Sequence, residues 1–539
     1  MARQASDEND HIRVDEPDTE LDAGLGDDTV FVTASGAVVL GGAGDDWLTT
    51  TIDFVREPTR DEDGEAREDV VRELTTELRG DAGDDHLHAS IRGRHDDFGD
   101  ALNLTAKLDG GDGDDVLWID LAGSGGLAEV FAEAGAGNDI VRVNTMTVED
   151  YLGLSGPITV KAGDGDDDIS IFADGGGTGF LGGGNSATVY GGDGNDRIET
   201  HLNYWNWDDG GTTNALYGGA GDDVIIATAE GGADFGTSSN FARGGTGDDE
   251  ITVTVLGNAN EDVVMSNEVY GDAGDDAIVA RASSLGGSPH TSEGSNWISA
   301  GAGSDTVSAS LELVRIGSGK NEVYGGSGDD LLSATLTFAM NDNGESTARA
   351  GLNALEGGDG DDQLSAVITL EGEREEGAEI RSELFGGRGA DRLSVEGGDG
   401  NLLAGNQDND TLLGGAGDDR LIGGQGADFL RGRGGSDEFV FHGLRGETVA
   451  DRDRIADFMI GEDVIDVSRI DAKSWRSGNQ GFSFDETGEG GSGRLWVEED
   501  PDGHGSLLFA DNGRGVLVVS LLDGRSVDAG DYSAGDFLL

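Results

Sequence analysis

The sequence contains no cysteine, which removes disulfide cross-links, thiolate nucleophiles and thiolate metal sites from consideration. Proline is nearly as scarce, with 5 residues in 539, and the glycines follow no strict three-residue period, so a collagen triple helix is excluded. Aromatic residues make up 6 % and hydrophobic residues 35 %, too little to fill the several conventional cores that this length suggests. Cations are short as well: 34 lysines and arginines stand against 109 aspartates and glutamates, a formal charge of −75. A surface of that sign repels phosphate, so nucleic acid and anionic membranes are poor partners, and no nucleic acid is expected. The longest apolar run, Val516 to Leu522, falls far short of the ~20 residues a membrane span needs, so none is expected. Met1 to Leu21 is polar and acidic, unlike a Sec-type signal peptide. Such a chain stays a disordered polyanion unless cations neutralise it.

What is abundant is glycine, 96 residues, and its placement repeats. An eight-residue pattern recurs eighteen times, typified by Gly218-Gly-Ala-Gly-Asp-Asp-Val-Ile225. Its sixth position is aspartate in every copy: Asp28, Asp46, Asp85, Asp115, Asp139, Asp167, Asp196, Asp223, Asp249, Asp276, Asp305, Asp330, Asp362, Asp391, Asp410, Asp419, Asp428 and Asp437. The eighth is always Val, Leu, Ile or Phe, and the fourth is glycine in all copies but one, where Asp408 stands. The fifth accepts Asn138, Ser304, Ala390 and Ala427, so its side chain is not an essential ligand. Glycines let a backbone loop tightly with its carbonyls turned inward. Carbonyls together with a carboxylate are hard oxygen donors, suited to Ca²⁺ at ~2.3–2.6 Å. The apolar eighth position then opens a strand and points to a core. A plain turn would accept asparagine or serine at the sixth position, which never happens here.

These residues resemble the RTX family of calcium-binding nonapeptide repeats, G-G-x-G-x-D-x-U-x with U apolar. The likeness is least ambiguous at Gly414-Gly-Ala-Gly-Asp-Asp-Arg-Leu-Ile422 and Gly423-Gly-Gln-Gly-Ala-Asp-Phe-Leu-Arg431. It implies an all-β fold, a parallel β-roll or solenoid in which calcium sits between neighbouring turns. Much of the chain departs from the nine-residue plan. From Ala162 to Gly386 the turns stand 25 to 32 residues apart. Four residues before most of them comes an asparagine: Asn214, Asn240, Asn267, Asn296, Asn321 and Asn353, with Ser382 as the outlier. We read these asparagines as sixth positions of decayed turns, swollen by inserted loops. Metal is then expected along one edge only, with the loops on the other. Apolar residues alternate at period two after each intact turn, as in Ile251, Val253 and Val255. Some sixteen stacked rungs at ~4.8 Å imply a rod about 75 Å long. A three-sheet β-helix is the alternative architecture.

Four segments follow: an acidic tail at 1–22, an expanded solenoid at 23–404, a compact nonapeptide roll at 405–440, and a cap with export signal at 441–539. Asp437 to Phe441, Asp451 to Phe458 and Gly461 to Val467 resemble the cap that follows β-rolls in serralysin-type secreted proteins. Trp475, Phe482, Phe484 and Trp496 are expected to fill its core. The ending Asp536-Phe-Leu-Leu539 resembles the uncleaved signal of type I secretion substrates. That resemblance implies type I secretion machinery as a partner and an extracellular location.

No HExxH, G-x-S-x-G or Walker loop is present, no catalytic residue is assigned, and the chain is read as a non-enzyme. Calcium is the one expected cofactor, with a cell-surface, matrix or adhesive role. A polysaccharide-active enzyme with its site on the solenoid face is the alternative, and it requires Tyr, His, Lys or Arg clustered on adjacent rungs. His86 and His88 face outward together beside inward Leu87 and read as a solvated face. Trp205 and Trp207, in Tyr204-Trp-Asn-Trp-Asp208, are the candidates for contact with a polysaccharide or a surface protein. In the charged insert from Asp53 to Arg79, Val70, Val71, Leu74 and Leu78 suggest a short amphipathic helix.

Overall fold

Period-two alternation demands strands with one buried face, and the computed structural model has them almost throughout. It describes residues 3–6, 8–55, 72–94, 102–123, 126–147, 154–177, 184–206, 211–232, 236–257, 262–284, 291–314, 316–340, 344, 346–443, 452–473, 478–501, 503, 505–522 and 527–539. Two compact units result, one formed by 1–298 with 313–316 and the other by 299–312 with 317–539.

In the first unit each coil gives one strand to each of two parallel sheets. One sheet runs from Arg3–Gln4 through Arg72–Ala82 to Val263–Ala273, and the other from His11–Val14 through Trp47–Val55 to Ala277–Ser284. Two sheets, not three, form the coil. From the strand Glu20–Leu25 onward the short connection from first-sheet to second-sheet strand is the glycine-aspartate turn; the longer connections return from the second sheet. The eighth-position residues Val30, Leu48, Leu87, Leu117 and Val141 are buried, as are their period-two successors. The segment read as an acidic tail contributes strands too: His11–Val14 pairs with Thr29–Val32. The helix suggested near Leu74 is a strand, Arg72–Ala82, with Leu74, Thr76 and Leu78 buried at period two. Burying that face against the sheet outweighs a helical spacing of the same leucines. Val70 and Val71 lie outside the described residues.

The second unit has the same two-sheet plan. Strands of eight residues or more, such as Leu331–Ala339, Thr347–Asp359 and Gln363–Leu370, give way from Arg392–Glu396 onward to strands of three to six. An antiparallel set, Arg494–Glu499, Ser506–Asp511 and Val516–Leu521, then closes the unit, and Val516–Leu521 continues the second sheet beside Asp453–Ile455. Phe537–Leu538 does the same for the first sheet beside Val464–Asp466. These strands cover the last coil's apolar edge. Their core is Leu495, Val497, Leu508 and Val519 with Phe482 and Phe537. Of the expected aromatics only Phe482 is fully buried; Trp496 stacks on Phe509 on the outer side, and Trp475 lies outside the described residues.

Candidate metal centre

The turn geometry follows from glycine. Gly163 and Gly165 have φ of +123° and +135°, and a Cβ on either would lie 1.8 or 1.9 Å from a carbonyl oxygen of the preceding coil, Gly135 or Gly137. Glycine meets that demand at least cost, although Asp81, Asp272 and Asn406 take the equivalent position with φ of +77° to +80°. The result is a column of backbone carbonyls along the turn edge.

All eighteen sixth-position aspartates are buried, each at most 3 % exposed; all but Asp419 and Asp437 line this edge. In each unit their Oδ1 atoms form a ladder, an aspartate accepting the N–H of the equivalent aspartate one coil earlier. The first unit has Asp28 N–H to Asp46 at 2.7 Å, Asp139 to Asp167 at 2.7 Å and Asp249 to Asp276 at 2.9 Å. The second has Asp305 to Asp330 and Asp362 to Asp391, both at 2.9 Å. In the narrow roll a second ladder of the same kind opens on the opposite edge. Asn401 is its first rung, donating both its backbone N–H and its side-chain amide to Asp419 Oδ1. Asp419 to Asp437 at 2.9 Å and Asp437 to Asp463 at 3.0 Å continue it.

The other carboxylate oxygen, Oδ2, is buried without a hydrogen-bond partner in Asp28, Asp46, Asp85, Asp115, Asp139, Asp167, Asp196, Asp223, Asp249, Asp330, Asp362, Asp391, Asp410 and Asp428. Its surroundings are oxygen-rich. A Cβ built on Gly191 would lie 2.2 Å from Asp196 Oδ2 and 2.5 Å from the Gly218 carbonyl of the next coil. Burial pushes these carboxyls up, helped by neighbouring aspartates and opposed by the ladder N–H: Asp85 and Asp410 to about 8, Asp115, Asp167 and Asp223 to about 7, Asp46 and Asp196 to about 6. A buried oxygen that lacks a donor and faces carbonyls is stabilised by a cation. Among the described residues no three His, Asp or Glu side chains converge on one point. The donor set is instead one carboxylate per turn plus backbone carbonyls, which fits Ca²⁺ and not a soft metal.

Three rungs lie outside the full glycine pattern. Asp10 donates its N–H to Asp28 Oδ1 at 2.7 Å, while Asp453 and Asp463 accept from Asp428 and Asp437. All three share an aspartate two residues before isoleucine, at Ile12, Ile455 and Ile465, and that shorter signal would have found them. The fifth position forms a further ladder in the opposite direction, its N–H donating to a side chain of the preceding coil, as from Asn195 to Asp166 and from Asp222 to Asn195. Where alanine stands, as at Ala390, its N–H still donates to Asp361.

The asparagines sit in strands rather than in decayed turns. Asn214, Asn240, Asn267 and Asn353 lie within strands of the first sheet with buried side chains. Each amide donates along the column, Asn214 to Asn240 at 2.8 Å, Asn240 to Asn267 at 2.9 Å and Asn267 to Asn296 at 2.7 Å, and Asn240 and Asn267 also reach Thr254 and Arg281 carbonyls of the facing sheet. In the second unit Asn353 is paired with Ser382, whose N–H donates to Asn401, so the column runs on into the Asp419 ladder. The correspondence with sixth positions therefore stands, but the inserts have widened the coil. A position that turns the chain in a nonapeptide now lies inside a longer strand.

His86 and His88 face outward as expected: His86 stacks on Trp47 at 4.4 Å, and His88 approaches Asp120 at 3.5 Å. Trp205 belongs to the strand Arg197–Asn206, but its side chain and the whole of Trp207 lie outside the described residues.

A model of the RTX calcium-binding nonapeptide repeat, four copies long, matches residues 181–201, 208–235, 290–311, 317–335, 347–366 and 404–439. Those stretches carry the turns of Asp196, Asp223, Asp305, Asp330, Asp362, Asp410, Asp419, Asp428 and Asp437. No curated protein matches the chain. Over these stretches the chain carries RTX calcium-binding nonapeptide repeats, and in each unit glycine turns, an aspartate ladder and two parallel sheets make a β-solenoid.

Proposed function

We propose that the eighteen sixth-position aspartates hold structural Ca²⁺ between successive turns, and that the chain folds on binding it outside the cell. The observation that carries this is the row of buried Oδ2 atoms without donors, set against glycine carbonyls. Calcium supplies positive charge there, and its binding free energy becomes folding free energy. In the expanded region the second edge is held by asparagine amides, so metal belongs to the turn edge alone. In the narrow roll both edges carry aspartates and both take metal. Residues 441–539 serve as cap and carry the type I export signal, and the role outside is structural or adhesive. Circular dichroism and calorimetric titration with Ca²⁺ against EGTA test the reading. A chain equally folded in EGTA would refute it.

A further inference from the structure

On the outer face of the first unit's first sheet, side chains of successive coils fall into columns, because the strands pair in register. One column runs Phe131, Thr159, Thr188, Ala215, Phe241. Its two phenylalanines bound a run of small side chains, so the surface dips between them. The column beside it is tall, with Lys161, Tyr190, Tyr217 and Arg243. Tyr190 and Tyr217 stack with centroids 4.9 Å apart, and Tyr217 meets Phe241 at 5.3 Å, making a continuous wall. On the far side Ser186, Thr213 and Ser239 present hydroxyls. The trough spans four coil steps, about 19 Å at ~4.8 Å each. At the Phe131 end it opens into a cavity that includes Lys107, Glu133 and Thr159.

Charges around the trough cancel in pairs although the chain is strongly acidic. Lys161 reaches Glu133 at 3.7 Å, and Arg243 is held by Asp272. A polyanion therefore meets no uncompensated row of cations. The trough offers hydroxyls, an amine and aromatic edges, repeating at the coil step. Lys107 lies over one face of Phe131 at 5.7 Å, leaving the Thr159 side as a stacking platform. An extended neutral polysaccharide has the complementary chemistry: apolar ring faces, a fringe of hydroxyls, and a repeat close to that step.

We propose that this trough binds an extended neutral polysaccharide along the coil axis. The test is native electrophoresis of the calcium-saturated full chain in gels containing hydroxyethylcellulose, galactomannan or xyloglucan, with alginate as the acidic control. Thr188→Trp and Ala215→Trp fill the floor at outward strand positions, where bulky residues are accepted. At least one neutral polymer is expected to retard the wild type, with retardation lost in both variants and weakened in Tyr190→Phe. Retardation by alginate alone, by no neutral polymer, or undiminished in the variants would overturn the proposal. Circular dichroism with and without calcium on the same samples registers a failure of the calcium reading separately.

Discussion

At Asp223 the two carboxylate oxygens do different work: Oδ1 accepts the Asp196 N–H at 2.8 Å, while Oδ2 has no donor. Asp223→Asn keeps an acceptor but loses the charge, whereas Asp223→Ala also strands the Asp196 N–H at a cost of ~1–3 kcal/mol. Both variants are expected to need more calcium to fold, and alanine the more, measured as the calcium midpoint by circular dichroism. Asn240→Leu tests the other ladder. It leaves the Asn214 amide without its 2.8 Å acceptor and should cost ~1–3 kcal/mol in thermal unfolding at saturating calcium. Calorimetry should find the number of bound ions unchanged; a fall would place metal on the asparagine side. The aspartates are legible in the sequence because glycines frame them. Spacing also marks the asparagines as sixth-position equivalents, but it cannot show that the turn around them has been drawn out into strand. Asp10, Asp453 and Asp463 are hidden because the glycine frame around them is incomplete.

The turn is the element that spacing alone could find, since its glycines answer a steric demand. Gly163→Ala places a methyl 1.8 Å from the Gly135 carbonyl at positive φ, whereas at Gly344, φ +75°, nothing lies within 4 Å of the added carbon. Gly163→Ala should therefore lower the thermal midpoint in calcium well beyond the ~1–2 kcal/mol of backbone strain expected for Gly344→Ala. Equal losses would mean that inter-coil contact does not set the turn. The strands are legible from alternation, but their extension into the inserts is not. Leu74 and Leu78 satisfy both a helical and a two-residue period, and pairing with neighbouring coils decides between them.

Across the whole molecule the −75 charge and the buried aspartates set one balance. Burial raises most ladder carboxyls, those of Asp46 and Asp85 from an ordinary value of about 4 to about 6 and about 8, so without calcium the folded chain binds more protons than the unfolded one. Stability of the calcium-free fold must then fall as pH rises through that window. In EGTA, more β-structure is expected at pH of about 5 than at about 8, and saturating calcium should remove the difference; equal spectra in EGTA would contradict it. The asparagine column has a separate consequence. Its rungs lie 26, 27 and 29 residues apart in the first unit and 32 apart at Asn321 and Asn353 in the second, yet these amides meet in register. Register is thus fixed independently of the length of the returning connection, and closing a longer loop costs little. The chain tolerates length polymorphism on that edge, which makes it an address for grafting foreign segments without disturbing the turns opposite.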